Sequence, residues 1–263
     1  MRIAIFSDIH GNLPAFELML KDIGRVDIYI SLGDVVNYGP WSNECVQLLE
    51  SLENCIKLRG NHEEFFLSRH CVVENSLVKK FFYFCVKGFA EGKNIQKYIL
   101  DYTLDNFQLC HTIKNQYIFQ DSKIHIDNNY IIGHSHHQFK IESDGFVLYN
   151  PGSVGQNRKF INQINYMIYN TMEKSFKFFN FIYDVDVLIN EMKRRNYPTI
   201  CIDYYKNKRT SKSRPTKTTS MPLIFIIPII MWSHSSILFT LLSKISGSIY
   251  PLSTQYKPTD FAK

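Results

Sequence analysis

Several absences narrow this 263-residue chain before any motif is weighed. Its six cysteines, Cys45, Cys55, Cys71, Cys85, Cys110 and Cys201, include no C-x-x-C pair. Without that spacing there is no zinc ribbon and no thioredoxin-type redox motif, and the apolar surroundings mark them as reduced core residues of a cytosolic protein. Neither a P-loop nor a dinucleotide fingerprint occurs. The N-terminus opens directly on a strand, without a charged-then-apolar leader, so no secretory signal is expected. An excess of one charge is also missing from the main body. The net charge is +6, yet residues 1–200 carry 21 positive and 22 negative side chains. The surplus lies in 201–220, with six positive and one negative. Specific nucleic-acid binding is therefore not expected of the main domain.

What is present is a series of short apolar runs, each ending in a polar cluster. Ile3 to Phe6 reads as a buried strand that stops at Asp8-Ile9-His10. Residues i and i+2 of a strand share a face, so Asp8 and His10 can converge on one ion; alone, the pair equally fits a solvated loop or a helix N-cap. Gly11-Asn12 turns the chain, and Pro14 suits the first turn of a helix through Phe16, Leu18 and Leu20. A second run, Val26 to Leu32, ends in Gly33-Asp34, and Asn43 is the expected N-cap of a helix carrying Val46, Leu48, Leu49 and Leu52. Cys55 to Leu58 leads to Arg59-Gly60-Asn61-His62-Glu63. Helical spacing runs from Glu64 to about Leu100, with Phe81, Phe82, Phe84 and Phe89 as core. Phe107 to Cys110 leads to His111, Tyr130 to Ile132 leads to Gly133-His134-Ser135-His136, and Phe146 to Tyr149 leads to Asn150-Pro151-Gly152-Ser153. Tyr166 to Tyr169 and Phe176 to Phe181 read as a closing antiparallel pair, followed by a helix from Val185 to Arg195. Loops at strand ends are where α/β folds place their chemistry.

The clusters together supply Asp8, His10, Asp34, Asn61, His111, His134 and His136, with His62 beside them. This oxygen and imidazole set, free of thiolate, suits Mn, Fe, Zn or Mg rather than a structural zinc site. Seven ligands exceed what one small ion takes and match two ions sharing a bridge, for which Asp34, alone between the two sets, is the better candidate. His70 and His125 read as surface residues, and His137 as pointing away from the site.

In order, each after a strand, the blocks Asp8-Ile9-His10, Gly33-Asp34, Gly60-Asn61-His62-Glu63, His111 and Gly133-His134-Ser135-His136 resemble the five signature blocks of the calcineurin-like metallophosphoesterases. Longer phrases, Ser7 to Leu13, Leu32 to Pro40 and Asn150 to Gly155, resemble the small bacterial single-domain branch. The likeness covers about residues 1–200. It implies an α/β (α+β) fold, a four-layer αββα sandwich of two mixed sheets flanked by helices. It implies two divalent metal ions, manganese ahead of iron, zinc, nickel or magnesium: one held by Asp8, His10, Asp34 and His136, the other by Asp34, Asn61, His111 and His134. A bridging hydroxide would attack phosphorus, and His62 would protonate the leaving oxygen or stabilise the transition state. Glu63 would orient His62 or cap the following helix. Arg59 and Arg158 are the candidate substrate contacts. The implied substrate is a phosphodiester or small nucleotide; a phosphomonoester, a dinucleoside polyphosphate and a non-catalytic scaffold are the alternatives. Two departures stand out. Thr112 follows His111 where glycine is common, and Gln156-Asn157-Arg158-Lys159 keeps the family's arginine while losing its proline and acid.

The main domain is expected over 1–205, followed by a basic, disordered linker over 206–220 and an atypical hydrophobic extension over 221–263. Met221 to Leu242 runs 22 residues without a charge, long enough to span a bilayer. Pro222, Pro228 and the stretch Ser233-His234-Ser235-Ser236 make it a poor span. The expectation is a cytoplasmic protein, with attachment to the cytoplasmic face of a membrane as the alternative.

Overall fold

The structure is a computed structural model and describes residues 1–212. In chain order the elements are β1 (Arg2–Phe6), α1 (Leu13–Ile23), β2 (Ile28–Ser31), α2 (Ser42–Ser51), β3 (Cys55–Lys57), α3 (Asn61–Ser68), α4 (Ser76–Cys85), α5 (Gly92–Ile95), β4 (Asp101–Leu104), β5 (Phe107–Cys110), β6 (Asn129–Ile131), β7 (Gln138–Ser143), β8 (Phe146–Pro151), β9 (Gln163–Asn170), β10 (Ser175–Ile182), α6 (Asp186–Arg194) and α7 (Thr199–Lys206). They form two mixed five-stranded sheets, ordered β10-β9-β1-β2-β3 and β4-β5-β6-β8-β7, flanked by helices. Strands β1, β2 and β3 run parallel, and the β9–β10 hairpin adds antiparallel to β1.

Strand β1 shows why its sequence is apolar throughout. Ile3 and Ile5 face Leu109, Ile131 and Met167 in the core between the sheets, whereas Ala4 and Phe6 face Phe16, Met19 and Val46 under the helices. Both faces being buried, neither admits a polar residue. The outer face of the second sheet is covered differently. Ile118 and Ile126, from the irregular segment between β5 and β6, pack there on Ile132, Phe139 and Leu148.

Local signals account for most helix ends. Asn12 accepts from Ala15 N, Pro14 occupies the first turn of α1, and Gly24 (φ 63°) ends it. Asn43 does not cap α2. The helix starts two residues earlier than that cap would place it, at Ser42 after Trp41, and the Asn43 side chain instead bridges Gly88 O and Ala90 N. The helical pattern of 64–100 divides into α3, α4 and α5, because Asn75 caps a new helix by accepting from Leu77 N and Val78 N. Strands β4 and β7 and helix α7 have no counterpart in the sequence reading; β4 and β7 are short edge strands whose partners complete them. Past residue 205, Ser211 N donates to Asn162 Oδ1 and Ile161 N to Arg209 O, so the start of the expected linker is bonded to the domain. Residues 213–263, with the 221–242 run, lie outside the described residues. Among the described residues no helix is long and apolar enough to cross a membrane.

Candidate active site

The ligand-bearing loops all gather at the same end of β1, β2 and β6. Backbone bonds splice them together: Asp8 N donates to Gly33 O, His10 N to Asp34 O, Gly133 N to His111 O, and Gly155 N to Asp8 O. Strand alternation is not what brings Asp8 and His10 together. Both lie in the left-handed region (φ 57° and 50°), as do Asp34 (55°), His134 (69°) and His136 (60°). Five non-glycine residues there represent stored backbone strain of about 1–3 kcal/mol each, a pattern that clusters at functional sites.

Close approach demands glycine at particular points. A Cβ on Gly60 would stand 2.2 Å from Asp34 Oδ1, and one on Gly155 would stand 1.8 Å from the Ile9 carbonyl. Glu63 does what the sequence left open: its carboxylate caps α3 by accepting from Gly60 N (2.7 Å). It also accepts from Asp34 N (2.8 Å) and Val35 N (2.7 Å), tying the helix to the Asp34 loop. Asn150 does the same for the histidine loop, donating to Gly133 O and Ser135 Oγ, while Ser153 Oγ donates to Asp8 O.

The side chains converge as two buried clusters. Asp8, His10 and His136 form one, and Asp34, His111 and His134 the other; Asp34 also groups with His10 and His62. His136 Nε2 lies 3.3 Å from Asp8 Oδ1, His111 Nε2 3.1 Å from Asp34 Oδ2, and His10 Nε2 3.9 Å from the same Asp34 oxygen. Three imidazoles use Nδ1 outwardly: His10 on Val36 O (3.1 Å), His111 on Leu32 O (2.9 Å) and His136 on Gln156 O (2.7 Å). Each Nδ1 is thereby committed to a carbonyl and each Nε2 faces inward, that of His111 toward Asp34, the outer-shell arrangement of metal-bound histidine.

These residues fit divalent cations. Asp8 Oδ1 and Asn61 Oδ1 are buried without a hydrogen-bond partner, and His10 Nε2 faces His136 Nε2 at 3.2 Å. Unpartnered donor atoms packed this closely are costly unless a cation satisfies them. Burial holds His10 and His136 well below the usual imidazole range and His134 down to about 3, so these rings stay neutral. Burial opposes charge on His111 as well, but Asp34 outweighs it and pushes His111 up to about 10. For Asp34, burial is outweighed by His111 and His62, which hold the carboxyl well below its ordinary value. Asp8, raised to about 7 mainly by burial, lacks comparable compensation.

His62 is buried beside the ligands, its backbone N–H on Asp34 Oδ1 at 2.9 Å and its Nε2 3.9 Å from Asp34 Oδ2. Asn37 Nδ2 donates to His62 Nδ1 at 2.8 Å, which leaves the ring proton on Nε2, facing the site. The sequence reading gave Asn37 no role of its own; its left-handed φ (75°) is invisible before folding. Tyr117 was missed altogether. It comes from the irregular β5–β6 segment and stacks on His134 at 4.1 Å, with the Arg158 guanidinium 5.3 Å from its ring. Arg158 also faces Tyr38 and Tyr204, which favour its charge although burial opposes it.

A cleft of about 550 Å³ opens beside Asn61, His111 and His134. Arg59 lines it, but its guanidinium donates to Glu64 (2.9 Å) and to the Gln96 carbonyl. Thr112, at the position where glycine is common, is accommodated by donating to Gln116 O. His70 is exposed and His125 pairs with Asp144 on the surface. His137 packs edge-on against Phe119 and lines a separate cavity.

Known proteins match this geometry. Residues 1–190 match the calcineurin-like phosphoesterase family. An uncharacterized protein of Methanocaldococcus jannaschii is 31% identical over 210 residues, covering 66% of this chain and 84% of that protein. The crystal structure of a metallophosphoesterase from Sphaerobacter thermophilus superposes with a TM-score of 0.66 at 25% identity, covering 78% of this chain and 98% of that one. A hypothetical protein of Pyrococcus horikoshii shares the fold at 16% identity, with a TM-score of 0.65 over 81% of this chain and 99% of its own. With its signature blocks converging on one buried Asp/His centre, the chain belongs to the calcineurin-like phosphoesterase family.

Proposed function

We propose that the chain hydrolyses phosphate esters, with phosphodiesters or small nucleotides as substrates, using two divalent cations. The observation that carries this reading is the pair of buried Asp/His clusters joined through Asp34, their Nε2 atoms turned inward. Asp8, His10, Asp34 and His136 would hold one cation, and Asp34, Asn61, His111 and His134 the other. When bound, the pair supplies Lewis acidity toward the phosphoryl oxygens and acidifies water. Manganese is the first choice among the metals such a set takes.

The protein's own groups complete the chemistry. His62, kept as its Nε2–H tautomer by Asn37, offers that N–H as a hydrogen bond to the leaving oxygen and stabilises the negative charge that develops there. Arg158, its charge backed by aromatic rings, neutralises the non-bridging phosphate oxygens. The six cysteines are free, which supports a reducing, cytoplasmic setting. The test is a panel of mono- and diesters assayed with the full chain after chelation and reconstitution with single metals. Turnover that needs metal and prefers diesters is expected; metal-independent turnover, or none with any ester, defeats the reading.

A further inference from the structure

Resting on the phosphoesterase reading, we propose that the cleft beside Asn61, His111 and His134 receives the apolar or aromatic leaving alcohol of a diester with a single phosphate, rather than a polyphosphate chain. Its walls come from three separate segments. Phe65, Val72 and Val73 follow one side, Leu100 precedes β4, and Tyr117 stands on the β5–β6 segment. Val72, Leu100 and Tyr117 are 70%, 65% and 52% exposed. Apolar side chains so exposed, grouped around one concavity next to a reactive centre, mark a surface that gains by being covered.

Charge argues the same way. A second phosphate needs a cation to meet it, and the one lysine or arginine among the described residues lining the cleft is Arg59. That guanidinium is already engaged by Glu64 and the Gln96 carbonyl, and Glu64, itself in the wall, repels an additional anion. Arg158 sits instead over the Tyr117 ring and is assigned to the scissile phosphate. The cleft therefore offers apolar surface to the leaving group and no uncommitted cation to a further phosphate.

In the reaction, water oxygen forms the new bond to phosphorus and the P–O bond to the apolar alcohol breaks. The departing oxygen is hydrogen-bonded by the Nε2–H of His62, which keeps its proton. The proton lost by the attacking water is the one the alcohol takes up, by way of solvent, so the ring is unchanged at the end.

Calorimetric titration of the manganese-loaded full chain with phenylphosphonate, methylphosphonate and pyrophosphate tests this without turnover. Phenylphosphonate is expected to bind about tenfold more tightly than methylphosphonate, the scale of covering part of one aromatic ring, and more tightly than pyrophosphate. Val72→Asp and Leu100→Asp, both at exposed positions, should each shrink the phenyl-to-methyl ratio. Equal phenyl and methyl affinities, pyrophosphate binding tightest, or an unchanged ratio in both variants overturns the proposal. A phenyl preference in binding together with no hydrolysis of any ester would support the cleft assignment while defeating the phosphoesterase reading.

Discussion

Removing the Asn37 side chain provides a sharp test of how His62 acts. The substitution of choice is Asn37→Gly, because the residue sits at φ 75° and alanine there would add backbone strain unrelated to the imidazole. The lost interaction is one hydrogen bond, 2.8 Å from Asn37 Nδ2 to His62 Nδ1, in a fully buried setting. Such a bond is worth about 0.5–1.5 kcal/mol net, so releasing the ring to its other tautomer should lower kcat about two- to twelvefold. Deleting the ring by His62→Ala should cost about two to three orders of magnitude, the range for losing one donor to a developing oxyanion. Because Asn37 is placed to act through His62, the effects should not multiply: adding Asn37→Gly to His62→Ala should change kcat little. Steady-state rates on a diester, with bound metal counted by elemental analysis, make the comparison. Metal stoichiometry should stay at wild type in all three variants. A full additional loss in the double variant, or an unchanged kcat in Asn37→Gly, would refute the positioning role.

Three further outcomes follow from the same geometry. Asp34→Asn removes the carboxylate that sits in one cluster and groups with His10 of the other, and should lower occupancy at both metal positions by elemental analysis; full stoichiometry in the purified variant counts against a bridge. Gly155→Ala places a Cβ 1.8 Å from the Ile9 carbonyl, a backbone atom that cannot rotate away. A loss of about 3 kcal/mol or more is expected in thermal melts, and a wild-type Tm would contradict the close approach. Glu191 is held down to about 2 by hydrogen bonds from Arg194 and then Arg195. Its folded pKa being depressed, its stabilisation is present above the unfolded carboxylate value and fades as pH falls from about 4.5 toward about 2. Denaturant melts of Glu191→Gln should match wild type at the acid end of that window and fall below it at neutral pH; a constant gap across the window would show that the arginine bonds are not responsible.

The atypical hydrophobic extension, with the alternative of membrane attachment, and most of the basic linker lie beyond residue 212, outside the described residues. Within the described residues, the legible parts of the chain were those governed by short-range rules. Apolar runs ending in polar clusters located β1, β2, β3, β5 and β8, most plainly β1, whose two faces are both buried. The helix patterning after Glu64 was real, but its division at Asn75 depended on a cap that competes with continuation. The edge strands β4 (Asp101–Leu104) and β7 (Gln138–Ser143) alternate polar and apolar residues instead of forming an apolar run, and went unread for that reason.

By itself, the order and type of residues picked out the candidate ligands: carboxylates, an amide and imidazoles delivered at five strand ends, with Asp34 between the two groups. Chemistry decides that, since only those side chains at those loops suit hard cations. Tertiary structure decided how they are aimed. Asp8 and His10 meet the site through left-handed backbone, not strand alternation, because Gly33, Asp34 and Gly155 clamp their loop from either side. The Glu63 cap on Gly60 N is local, but its bond to Val35 N, the tautomer of His62 and the aromatic seat of Arg158 rest on residues between 25 and 41 positions apart in sequence. No local rule couples those; the pairing of β2 with β3 brings the first two together, and the fold of the chain past β5 the third.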